Sequence, residues 1–201
     1  MRYSSLAKLM APALLLGLSG CISVGAGGGG KAPGSLLTMT ADQQVPAGTS
    51  ASGTYAGAIL VMEPETDQRL AVVRIPVQVD DTQVAYLVGA AWVERPSRLF
   101  RSLLAETLRT RTGALVLEDT QAAPSGGLRL SGRLLDMGYD ARTGSVVVRF
   151  DAMRSGAGGV VTTKRFESIV PGVSADPALV GPALNKAAND VARQVAAWLV
   201  S

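Results

Sequence analysis

The spacing of apolar positions changes several times along this chain, and the changes mark its elements. Ser35 to Thr40 is short and apolar enough for a strand, and Ala41 to Ala56 is a turn-rich polar stretch suited to the surface. Ala58 to Met62 reads as a buried strand. Leu70 to Val79 is rich in Val and Ile but contains Pro76, which lacks a ladder donor and predicts an edge or bulged strand. Asp80-Asp81 then makes a turn, and Gln83 to Leu87 returns.

From Pro96 the period becomes 3.6, with Leu99, Phe100, Leu103, Leu104 and Leu108 on one face of a helix. Pro96 suits the first turn, Gly113 stops the helix, and Arg98, Arg101 and Arg109 fall on the opposite, solvated side. Leu115 to Glu118 is a short strand followed by a loop from Gln121 to Gly127. Leu128, Leu130, Gly132 and Leu134 then alternate with Arg129, Ser131 and Arg133, the pattern of a half-buried strand. After a turn from Asp140 to Gly144, Ser145 to Arg154 and Val160 to Ser168 form an antiparallel meander around Ser155-Gly156-Ala157-Gly158-Gly159.

Asp176 as N-cap and Pro177 at the first helical position open a last helix, with Val180, Leu184, Ala187, Val191, Val195 and Leu199 as its apolar stripe. Gly181-Pro182 predicts a kink or a later start, because proline removes a helical donor. Trp198 is placed to seal one end of the core. The class is α+β: a mainly antiparallel, or mixed, sheet with two main helices packed on it as a single domain.

The N-terminus follows different rules. Arg2 and Lys8 precede the apolar run Leu9 to Leu18, giving the charged and apolar regions of a secretory signal. About ten apolar residues cover half of the ~20 needed to span a bilayer. Leu18-Ser19-Gly20-Cys21 is similar to a lipobox, in which small side chains fit the signal peptidase and the cysteine thiol takes the diacylglycerol. The reading is a signal peptide over 1–20, a lipidated tether over 21–35 containing Gly27 to Gly30, and a periplasmic domain over 36–201. Cys21 is the sole cysteine and has no disulfide partner within the chain. Ile22 follows it, where the analogy with enteric retention signals would need Asp, and this favours the outer membrane.

Charge and chemistry narrow the function. Removal of Arg2 and Lys8 with the leader lowers the formal charge from +3 to about +1, with no basic stripe to neutralise phosphates, so nucleic-acid binding is not supported. Absence of histidine removes Ser-His-Asp catalysis and the commonest metal ligand. Lys31, Lys164 and Lys186 show no Ser-x-x-Lys spacing. The acidic pairs Asp80-Asp81, Glu63 with Glu65, and Glu118-Asp119 lie beside turns, where acids cap or solvate. No dinucleotide fingerprint opens a helix, and neither cofactor, metal nor catalytic residue is expected.

In this order, several pieces resemble the ABC-type transport auxiliary lipoprotein family, whose members accompany Mce-domain lipid transporters. They are the lipobox, Ser35-Leu36-Leu37-Thr38, the Leu70 to Val79 strand with Arg74-Ile75, Tyr86-Leu87, Trp92-Val93-Glu94-Arg95-Pro96 before the helix, and Val195-Ala196-Ala197-Trp198-Leu199. Ala47 to Gly57, rich in small residues, has no clear counterpart in the family pattern. The resemblance implies a mixed sheet with helices on it and no catalytic constellation. It also implies an outer-membrane accessory role, docking the periplasmic Mce component and helping to pass phospholipid between membranes, and leaves self-association open. A lipid-carrying lipoprotein and an activator of a cell-wall enzyme are the competing readings. For a partner surface the sequence offers the 155–159 tip with Met153, Arg154, Gly156 and Gly158, and the arginines of the first helix.

Overall fold

The computed structural model describes residues 35–118, 126–156 and 158–201. The signal, Cys21, most of the tether, much of the 121–127 loop and Ala157 lie outside them. Eight strands form one mixed sheet: β1 (Ile59–Val61), β2 (Glu65–Thr66), β3 (Arg74–Gln78), β4 (Val84–Ala91), β5 (Val116–Glu118), β6 (Leu128–Asp140), β7 (Ser145–Ser155) and β8 (Val161–Pro171).

The spine is β6. Along one side it pairs antiparallel with β7, with a register shift between Leu134 and Asp136, and β7 pairs antiparallel with β8 without a break. Along its other side it meets β1, β2 and β3 in succession, all parallel. β5 extends the sheet beside β1, and β4 extends it beside β3. The sheet is therefore mostly antiparallel by paired length, with short parallel pairings on one flank.

The 3.6 period places both helices on one face. α1 (Pro96–Thr112) ends at Gly113, whose φ of +63° lets the chain turn left-handed as its N–H bonds the Arg109 carbonyl. In α2 (Pro177–Leu199) the Asp176 side chain accepts a hydrogen bond from the Ala178 N–H. Helix α2 starts at Pro177 and runs through Pro182, so the later start does not occur. Every residue of its expected stripe is buried. Val146, Val148, Phe150 and Ala152 of β7 face the helices, and Phe150 meets Phe100 of α1 edge-on at 5.3 Å.

Four local expectations are corrected. Residues 35–40 form no full strand: Leu37 alone bridges Trp92, and the backbone then turns to α2, where Asn185 and Asn189 take over its hydrogen bonding. The Leu70–Val79 strand contracts to Arg74–Gln78, because Leu70 is drawn into a turn on Asp67. β3 lies between β4 and β6 and is no edge; the irregularity at Pro76 comes from the extra residues that bulge out of β4. Finally, Arg101 and Arg109 are not a solvated face, because both pair with Glu118 of β5 at 3.4 and 3.0 Å.

Candidate functional site

Strand alternation gives the face of β6–β8 opposite the helices its character, since every second side chain must point away from the core. Among the described residues no helix covers it. Across its middle, Arg149 of β7 bonds Asp136 of β6 and Glu167 of β8, each at 2.5 Å. Asp136 also accepts from Arg69 at 2.8 Å, and Arg69 returns to Asp67 at 2.9 Å. On the next rungs Arg165 forms two bonds to Asp151, and within the β6–β7 turn Arg142 holds Asp140 and Asp81.

These groups border an open cleft of about 330 Å³, with Arg69, Gln78, Asp136, Asp140, Arg142 and Arg149 among its walls. Hydrogen bonding from Arg142 holds the Asp140 carboxyl below its ordinary range against the opposing effect of desolvation, and Arg165 does the same to Asp151. For Arg69 burial opposes the charge, but the bonds and field of Asp67 and Asp136 outweigh it and leave the guanidinium more basic than usual. Each cation is matched by acids, so the cleft offers polar recognition rather than a net field for a free anion. Apolar residues flank the lattice: Met153 and Val161 near the hairpin tip, and Ile169 opposite Val147 at the other end.

The proposed partner residues separate. Met153 lies on this open face, 37% exposed, and Gly156 and Gly158 are at the tip, where a Cβ at Gly158 would meet nothing within 4 Å. Arg154 points the other way. Its guanidinium lies over Trp198, 4.8 Å from the ring centroid, and Trp198 also meets Phe166 edge-on at 5.6 Å. Cys21 and the lipobox residues Leu18, Ser19 and Gly20 fall outside the described residues.

Each acidic pair has a member with a structural partner. Asp80 accepts the backbone N–H groups of Thr82 and Gln83, which hold its carboxyl below the usual range, and Glu63 accepts from Ser97 at 2.6 Å. Glu118 pairs with the α1 arginines, and its neighbour Asp119 is outside the described residues. Sequence reasoning passed over Arg149, Asp136, Arg69 and Arg142. Its available signal was the alternation of opposite charges in β7 and β8, where Arg149 faces Glu167 and Asp151 faces Arg165.

Comparison with known proteins adds to this geometry. A family model described as the ABC-type transport auxiliary lipoprotein component matches residues 38–196. No curated protein matches the chain. A crystal structure of an uncharacterized protein superposes at a TM-score of 0.64 with 12% identity, covering 83% of this chain and all of that one. A Xanthomonas campestris protein of family DUF330 superposes at 0.63 with 17% identity, covering 83% of this chain and 94% of that one. At such identity the two structures speak for the fold, and the sequence model speaks for descent: the chain belongs to the family of ABC-type transport auxiliary lipoprotein components.

Proposed function

We propose that this protein is a non-enzymatic outer-membrane lipoprotein, anchored through Cys21 on the periplasmic side, that serves as the accessory component of an Mce-type ABC phospholipid transport system. Its task is to dock the periplasmic Mce-domain protein. The observation that carries this reading is the uncovered face of β6–β8, a rigid surface of fixed ion pairs flanked by Met153, Val161 and Ile169. Polar and apolar groups interleaved on a rigid sheet are the usual composition of a protein-docking surface.

The absence of histidine from the chain and the structural partners of Asp80, Glu63 and Glu118 support a non-catalytic role. No helix of the described residues is long and apolar enough to cross a membrane, which fits attachment through the N-terminal lipid. A lipid-carrier role would draw on the recess of about 300 Å³ between residues 45–51 and the end of α1, walled by Val45, Ala51, Leu115 and Val116. That volume is at the lower limit for a small-molecule site.

Affinity isolation of the tagged protein from detergent-solubilised envelopes tests the choice. The adaptor reading expects the Mce-domain protein as the main bound species. Phospholipid recovered in stoichiometric amount without that protein would favour the carrier.

A further inference from the structure

The point at which the chain enters the domain is fixed. Leu37 donates to the Ala91 carbonyl at 2.8 Å and accepts from the Val93 N–H at 2.8 Å, adding one extended bridge outside β4. The pairing of Leu37 with Trp92 brings Leu36 beside Ala91, and Ala91 in turn pairs with Arg74 of β3. Leu37 packs toward Gly181 of α2, so by alternation Leu36, Ala91, Val93 and Arg74 share the open face.

This corner is unlike the rest of that face. Leu36 and Val93 are each 55% exposed, and Val88 is 83% exposed. Val88 stands in the bulge of β4 between Tyr86 and Ala91, where Gly89 turns at a φ of +79° against Pro177. The Arg74 guanidinium lies over the Tyr86 ring, 4.0 Å from its centroid. Aliphatic tips beside a tyrosine and an arginine are the side chains that populate the boundary between headgroups and acyl chains.

We propose that this corner, Leu36, Val88 and Val93 beside the Arg74–Tyr86 pair, rests in the headgroup layer of the membrane that carries the protein's anchor. The inference depends on Cys21 being acylated, as proposed above. Cys21 precedes Ser35 by fourteen residues. A segment of that length reaches at most about 50 Å even when fully extended, and a domain of this size is about 30–40 Å across. The surface around the entry point is therefore held nearest the bilayer, at an effective concentration that lets a few shallow aliphatic contacts suffice.

The orientation has a further consequence. β3 runs parallel to β6 with Val77 beside Tyr139, which sets Arg74 level with Asp136, whereas the hairpin tip lies by Leu128, about 26 Å back along the strand and on its other side. With the entry corner on the membrane, the tip and its Met153 project into the periplasm, where a partner can reach them.

The test holds the mature chain on vesicles of phosphatidylethanolamine and phosphatidylglycerol containing nickel-chelating lipid, through a hexahistidine tag that replaces Cys21. It is thus independent of whether the cell acylates that residue, which mass spectrometry of the native protein decides separately. With Cys21 replaced, Val88→Cys or Thr163→Cys provides a single labelling position for an environment-sensitive fluorophore. Shallow brominated lipids should quench the label at position 88 several-fold more than at 163, on the far strand. Adding Leu36→Asp and Val93→Asp, both exposed substitutions, should reduce quenching at 88 to the level at 163 without lowering the melting temperature. Equal quenching at the two positions, or no response to the aspartates, would overturn the proposal.

Discussion

The guanidinium of Arg154 stacks on the indole of Trp198 and donates from Nη1 to the carbonyl of that same residue at 2.8 Å. A cation thereby closes the C-terminal end of α2, where the helix dipole and unpaired carbonyls favour positive charge. Arg154→Ala is expected to cost about 1–2 kcal/mol in urea unfolding. An unchanged midpoint would return Arg154 to the pool of free surface residues.

Asn189 is 2% exposed and joins the N-terminal segment to α2. Its Nδ2 donates to the Thr40 carbonyl at 2.9 Å, and its Oδ1 accepts from the Asp42 N–H at 2.9 Å. The side-chain amide thus replaces a neighbouring strand. Asn189→Ala should cost about 2–3 kcal/mol and should raise amide hydrogen exchange at Asp42 before any global change. Unaltered exchange there would show that Asn185 and the Arg193–Asp42 ion pair hold the segment unaided.

Gly132 sits in β6 at a φ of +150°, and a Cβ there would collide with the Asp151 carbonyl and lie 2.9 Å from the Phe150 ring. Neither backbone nor core ring can yield cheaply. Gly132→Ala should cost about 3 kcal/mol or more, read as a fall in thermal midpoint. Tolerance of alanine would mean that β7 can move away from β6.

Acid should weaken the fold through the open face. Asp140 and Asp151 have folded pKa values below the ordinary 3.8, held there chiefly by hydrogen bonds from Arg142 and Arg165. The native state therefore binds fewer protons, and the stabilisation is fully present above the ordinary value. It is lost as pH falls from near 4 through the lower folded values. Urea midpoints measured from pH 6 to pH 2 should fall less steeply in the Asp140→Asn, Asp151→Asn double variant. A parallel decline would place the acid sensitivity elsewhere.

Periodicity made both helices legible in the sequence, down to Gly113 and Asp176 as caps, because the amphipathic stripe and the local turn chemistry agree. It also revealed the β7–β8 meander. It missed the length of β6, since the irregularity between Leu134 and Asp136 breaks the alternation that would have carried the strand on to Asp140. The parallel pairings of β1, β2 and β3 were hidden because they join segments distant in sequence. The same holds for contacts such as Asn189 with Thr40 and Arg101 with Glu118: a residue's own neighbours do not say which distant group will neutralise it. For the candidate surface, Met153 was legible as an exposed strand residue. For Arg154 nothing in the sequence signalled Trp198, the residue its guanidinium meets, because that residue is 44 positions away.

Direct titration tests the adaptor role most sharply: the purified mature chain against the purified Mce-domain component, followed by calorimetry. Saturable binding is predicted. Met153→Asp combined with deletion of residues 156–158 should weaken it about tenfold or more, equivalent to about 1.4 kcal/mol, while Lys186→Glu on the exposed side of α2 should leave it unchanged. No heat of binding, or equal weakening by Lys186→Glu, would contradict the assignment of the open face of β6–β8 as the docking surface.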